Sequence, residues 1–120
     1  MSKIATQVNQ GVPEIAVEEL HGLMTKADWE ARRVLLLDVR MPEEFNGELG
    51  HIAGSKLVTL GPELQAYLDE CDRKQAIVFV CRSGNRSGHA AAYAVDVGYE
   101  NVANMQGGML AWNQAKFPRS

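Results

Sequence analysis

A chain of 120 residues with 46% hydrophobic and 22% charged side chains has the length of one ordinary domain and the balance of a folded globular protein. That excludes a disordered chain and a second core. A net charge of −3 argues against nucleic acid as the main partner, because that role needs a basic face, and no apolar run approaches the length of a bilayer span.

The start, MSKIATQVNQGVPEIAV, has no continuous apolar segment of secretory length, so a cytoplasmic location is the expectation. Residues 1–12 read as a polar extension that is loosely held, and residues 13–118 as one domain. Val17 to Met24 puts Leu20, Leu23 and Met24 on one helical face. VLLLDV, 34–39, is a short apolar run typical of a strand buried on both sides. Pro42 then suits the first turn of a short helix with Glu43 and Glu44 near its positive end.

A weak strand around Lys56 to Val58 precedes Gly61-Pro62. Leu64, Tyr67, Leu68 and Cys71 then recur at helical spacing. AIVFV, 76–80, is a second buried strand and ends at Cys81. Ser87 is a good N-cap for the alanine-rich helix that follows, and Gly98 a good C′ residue for its end. A last strand near Val102 to Met105 leads to Gly107-Gly108 and a helix with Leu110 and Trp112, closed by Pro118. Strand and helix alternate, so the fold class is α/β with a mainly parallel sheet covered on both faces.

The two cysteines, Cys71 and Cys81, are too few for a disulfide scaffold and lack the C-x-x-C spacing of a redox or zinc pair. Cys71 falls on the apolar stripe of its helix and reads as a packing residue. Cys81 is different because it sits at the carboxyl end of a strand, where open α/β sheets place their ligands. In the segment that follows, RSGNR, Gly84 permits a tight turn that aims backbone N–H groups inward. The next helix adds unpaired donors and the positive end of its dipole.

A free cysteine is only about 3% thiolate at pH 7, and lowering its pKa by about two units raises that to about 75%. Arg82 and Arg86 supply local charge for that purpose in an otherwise acidic chain. An anion at the centre of the loop should therefore be stabilised.

Five separated motifs now resemble the rhodanese family of sulfurtransferases. They are PEIAVEEL at 13–20, LLLDVRMPEEF at 35–45, GHIAGS at 50–55, VFVCRSGNRS at 78–87 and NVANMQGGMLAW at 101–112. The resemblance implies a single-domain rhodanese fold, a sheet of about five strands with helices on both faces. It implies a Cys81 thiolate that takes the outer sulfur of thiosulfate as a persulfide and passes it to a thiophilic acceptor. That acceptor is cyanide in vitro and a small thiol or thioredoxin-like protein in the cell. Arg82, Ser83, Gly84, Asn85, Arg86 and Ser87 are then the substrate-binding loop, and Asp38 with Arg40 supports it. No metal and no organic cofactor is called for, and neither a membrane nor a nucleic acid partner is expected. The chain is expected to be a monomer or weak homodimer.

Alternatives separate on the same residues. The spacing from Cys81 to Arg86 is C-x4-R, whereas the related cell-cycle phosphatases and arsenate reductases resemble C-x5-R, a ring wide enough for a phosphoryl oxyanion. A non-catalytic rhodanese-like partner-binding module is the other alternative. The presence of Cys81 and both arginines weighs against it. Arg40 and Glu44 are expected to pair at i, i+4. His51 reads as structural, since an ionised thiolate needs no base, and His89 as a solvated helix residue. Ala16 stands where the family often has serine, so the first helix lacks a side-chain N-cap; Ala53 and Thr59 replace frequent prolines.

Overall fold

A computed structural model describes residues 4–26, 29 and 33–120. Among them lie six strands and five helices. In chain order these are β1 (Gln7–Asn9), β2 (Val12–Ile15), α1 (Val17–Met24), β3 (Leu35–Asp38), α2 (Pro42–Phe45), β4 (Lys56–Leu57), α3 (Pro62–Glu70), β5 (Ile77–Val80), α4 (Asn85–Asp96), β6 (Val102–Met105) and α5 (Gly108–Gln114). They form one sheet in the order β1-β2-β6-β5-β3-β4. Only the β1–β2 pair is antiparallel. The fold class is therefore the α/β arrangement expected, with six strands rather than five.

The extra strand comes from the polar start. Residues 7–9 pair antiparallel with 12–14, and Ile4 is buried with its N–H donating to Asn101 Oδ1 at 2.8 Å. This segment is hard to see in the sequence because an exposed edge strand carries no apolar alternation. Residues 1–3 of it lie outside the described residues.

Side-chain alternation in the inner strands divides the core in two. Val78 and Val80 join Leu36, Ala103 and Met105 against Val17 and Leu20 of α1 and Met109 and Trp112 of α5. On the other face Ile77 and Phe79 join Leu37 and Val102 against Leu64 and Leu68 of α3 and Ala90, Ala91 and Ala94 of α4. Every residue of β5 is buried, as a central strand covered on both sides requires. The alternation continues past the strand end, so Cys81 follows Ile77 and Phe79 onto the α4 face.

The helix boundaries show how local signals fared. α1 begins after Ala16, which makes no side-chain cap hydrogen bond, as its methyl side chain dictates. Gly98 follows the C-cap Val97 of α4 in a left-handed conformation, φ +106°. The other end of α4 differs from expectation: the N-cap is Gly84 and the helix starts at Asn85, two residues before Ser87. Ser87 is thereby carried into the first turn and buried. Its hydroxyl turns to side-chain partners instead of capping the helix.

Candidate active site

Cys81 is only 1% exposed. Its sulfur lies at the N-terminal end of α4 and accepts the Gly84 N–H at 3.1 Å and the Ser87 hydroxyl at 3.2 Å. Burial opposes ionisation here, yet the thiol is held below its ordinary range. The Ser87 hydroxyl outweighs burial together with the backbone N–H groups of Ser87, Gly84 and Ser83. The sulfur thus sits in a cradle of donors at the positive end of a twelve-residue helix.

Two backbone features shape this cradle. Gly84 has φ +97°, a left-handed value that turns the chain so that its own N–H faces the sulfur. Behind it, the start of α5 grips the outside of the loop: the Met109 N–H donates to the Cys81 carbonyl at 2.8 Å and the Leu110 N–H to the Arg82 carbonyl at 3.0 Å. With these carbonyls turned outward, the loop's N–H groups are left to face inward. Gly108 makes the approach feasible, for a Cβ there would lie 2.5 Å from the Cys81 and Arg82 carbonyl oxygens.

The two arginines have unequal roles. Arg86 donates from both terminal nitrogens to Glu44, at 2.7 and 2.8 Å, a fork-on-fork pair. This bond, against the opposing effect of burial, draws the Glu44 carboxyl down to about 2 and raises the Arg86 guanidinium. Arg82 is exposed and borders a cleft of about 460 Å³ shared with Arg40, Glu43, Glu44 and Leu49. Arg82 is therefore the loop cation that faces solvent at the site, while Arg86 ties the loop to α2. Ser83 and Asn85 are exposed on the loop.

The expected Arg40–Glu44 side-chain pair does not form. Arg40 is 1% exposed and grips Asp38 through Nε and a terminal nitrogen, at 2.9 and 2.7 Å. Its other contacts are the carbonyls of Gly50 and Glu44, at 2.8 and 3.2 Å. Buried beside Asp38, it reaches only the main chain of Glu44, whose carboxylate is already held by Arg86. Asp38 and Arg40 thus clamp the chain after β3 beneath α2, a supporting role rather than a contact with the sulfur.

Two residues of the site were not singled out from sequence, Glu14 on β2 and Asn104 on β6. They are register partners, both buried. Asn104 donates to Glu14 Oε2 at 3.1 Å and to the Gly84 carbonyl at 3.0 Å, and its Oδ1 lies 2.5 Å from the Ser87 hydroxyl. The available signal was a polar residue inside the strand VANM, since a buried amide must find partners. His51 stacks on Phe45 at 3.8 Å with Nδ1 3.0 Å from the Phe45 carbonyl. His89 is exposed, and Cys71 is a half-buried C-cap of α3.

The family profile of the rhodanese-like domain matches residues 16–115. The chain belongs to the rhodanese-like domain family. This rhodanese-like chain is 33% identical over 101 residues to the thiosulfate sulfurtransferase GlpE of Pseudoalteromonas translucida, covering 84% of this chain and 89% of that one. An uncharacterized protein of Synechocystis is 38% identical over 85 residues, 71% of this chain; the match spans only 46% of that relative's length. Among solved structures, a protein of unknown function from Rhodopseudomonas palustris, described as a possible tyrosine phosphatase, superposes with a TM-score of 0.75 at 26% identity. It covers 100% of this chain and 99% of its own. Family and fold agree with the motifs, and the Pseudoalteromonas translucida relative is itself named a thiosulfate sulfurtransferase.

Proposed function

We propose that this rhodanese-like domain is a thiosulfate sulfurtransferase working through a persulfide on Cys81. The observation that carries the proposal is the Cys81 sulfur itself, buried in N–H and O–H donors at the start of α4 and held below its ordinary pKa range. The thiolate attacks the outer sulfur of thiosulfate, the S–S bond breaks, and sulfite leaves with the bonding electron pair. The outer persulfide sulfur carries the charge into the same ring of donors. A nucleophilic acceptor then attacks that sulfur and releases the Cys81 thiolate.

Arg82, on the cleft above the loop, meets the dianion and the departing sulfite. Ser83, Gly84, Asn85 and Ser87 supply the loop's donors, and Arg86 holds the loop in place through Glu44. In the cell the acceptor is a small thiol or a thioredoxin-like protein, and the chain acts as a monomer or weak homodimer.

A cysteine phosphatase is the second reading, raised by the description of the Rhodopseudomonas palustris structure. Two features oppose it. Only four residues separate Cys81 from Arg86, and the Arg86 fork is engaged with Glu44 and so turned from an oxyanion over the sulfur.

The test is thiocyanate production from thiosulfate and cyanide by the protein and by Cys81→Ser, with intact mass after thiosulfate alone. The expected result is a wild-type rate abolished in the variant and one added sulfur on the wild type only. Equal rates, or no added sulfur, would sink the proposal; turnover of an aryl phosphate faster than sulfur transfer would favour the second reading.

A further inference from the structure

The hydroxyl of Ser87 has one proton and two claimants. One is the Cys81 sulfur at 3.2 Å and the other is Asn104 Oδ1 at 2.5 Å. Which way the Asn104 amide faces decides whether the second claim is real. Its nitrogen lies 3.1 Å from Glu14 Oε2 and 3.0 Å from the Gly84 carbonyl. Both of these atoms only accept, so the amide nitrogen must be the end that meets them. A flipped amide would set its oxygen against a carboxylate and a carbonyl. Oδ1 is therefore left facing Ser87, and because it too can only accept, any hydrogen bond between the two has the hydroxyl as its donor.

Glu14 is fixed in turn. It is the register partner of Asn104 across β2 and β6, and its other oxygen accepts from Gln106 Nε2 at 2.9 Å.

We propose that Asn104, locked in one orientation by Glu14 and the Gly84 carbonyl, competes with the Cys81 sulfur for the Ser87 proton and so tunes how readily Cys81 ionises. Asn104 and Glu14 are then positioning residues, acting on the sulfur only through Ser87. In the neutral site the thiol proton is donated to Ser87 Oγ and the hydroxyl proton to Asn104 Oδ1. When the thiol loses its proton to water, the Ser87 hydroxyl rotates and donates to the sulfur, and Oδ1 gives up its donor. When the charge moves to the outer sulfur of a persulfide, the inner sulfur needs the proton less and the hydroxyl returns to Asn104. The amide thus favours the loaded state over the free thiolate. This last step rests on the sulfur-transfer reading above, whereas the tuning of the thiol does not.

The charged groups on the elements that carry the site are Glu14 on β2, Asp38 at the end of β3 with Arg40 just after it, Glu44 on α2, Arg82 in the loop and Arg86 on α4, with exposed His89 farther along α4. Among the described residues none of these donates a hydrogen bond to the sulfur; the side-chain donor is Ser87.

The experiment is the pH dependence of Cys81 alkylation by iodoacetamide, in a Cys71→Ser background so that one thiol reports. Asn104→Ala is expected to lower the midpoint by about half a unit to one unit, the scale of one net hydrogen bond. Ser87→Ala is expected to raise it. The deciding measurement is the double variant: with Ser87 removed, Asn104→Ala should no longer move the midpoint.

A shift of equal size in both backgrounds would mean that Asn104 acts through space or through the fold, and would overturn the proposal. So would the absence of any shift from Asn104→Ala while Ser87 is intact. Glu14→Gln, nearly isosteric, covers the case in which Asn104→Ala does not fold. It should shift the midpoint the same way, and an undiminished shift in Ser87→Ala would overturn the proposal equally. Alkylation reads the thiol without thiosulfate, so its outcome is separate from that of the thiocyanate assay.

Discussion

Residue by residue, the site is a set of claims on a few donors, and the clearest is Glu44. Its carboxyl is lowered from 4.5 to about 2, first by the Arg86 hydrogen bond. A depressed carboxyl stabilises the fold fully above its unfolded pKa and loses that contribution as the pH falls through the folded value. Wild type and Glu44→Gln should therefore differ in urea stability at neutral pH and converge between pH 4.5 and 2. The pair is partly exposed, so solvent screening limits the difference to about 1 kcal/mol. Parallel curves down to the lowest pH would refute the assignment of that shift to Arg86.

Cys81, Arg82 and Arg86 were legible from their place after an apolar strand, because composition and position act locally. The pairing of charges was not legible in the same way. Helical spacing made Arg40–Glu44 reasonable, and it lost because Asp38 and Arg86 come within reach only when β3, α2 and α4 converge.

Among the elements, the decisive contact is α5 against the outside of the cysteine loop. Gly108 carries φ +58° and lies against the main chain at Cys81 and Arg82. Gly108→Ala is expected to push the loop and α5 apart and to cost about 1–3 kcal/mol through crowding and a strained left-handed backbone. The thiocyanate assay and a thermal melt check it together: a lower melting temperature with a rate reduced at least as much as in milder destabilised variants. An unchanged melt would contradict the contact.

Gly107-Gly108 was visible as the link between the last strand and the last helix, but its purpose was not, since the partner of Gly108, Arg82, is 26 residues earlier in the chain. Ser87 gives the same lesson. A serine near a helix start reads as an N-cap, yet Gly84 opens α4 earlier, and the hydroxyl is left for Cys81 and Asn104.

For the molecule as a whole, stability is graded across the sheet. β5 is buried along its length and flanked by β6 and β3, whereas β1 is an exposed edge strand of three residues. Native-state hydrogen exchange should therefore find the slowest strand amides in β5 and its neighbour β6 and the fastest in β1, because local opening is least costly where little is buried. Uniform exchange across the sheet would contradict that gradient. No helix among the described residues is long and apolar enough to cross a membrane.

The apolar runs 34–39 and 76–80, the helical stripe between them and the glycine-bearing loop after Cys81 were enough to derive an α/β sheet with a thiol at a strand end, in a loop whose N–H groups favour its anion. These properties depend on neighbours close in the chain, where periodicity and turn chemistry act. The six-stranded edge, the grip of α5 on the loop, the Glu44–Arg86 clasp and the Glu14–Asn104–Ser87 chain behind the sulfur join residues as many as 90 positions apart. Such contacts are set by strand register and by the competition of buried polar groups for a limited number of donors, so they exist only once the sheet has closed.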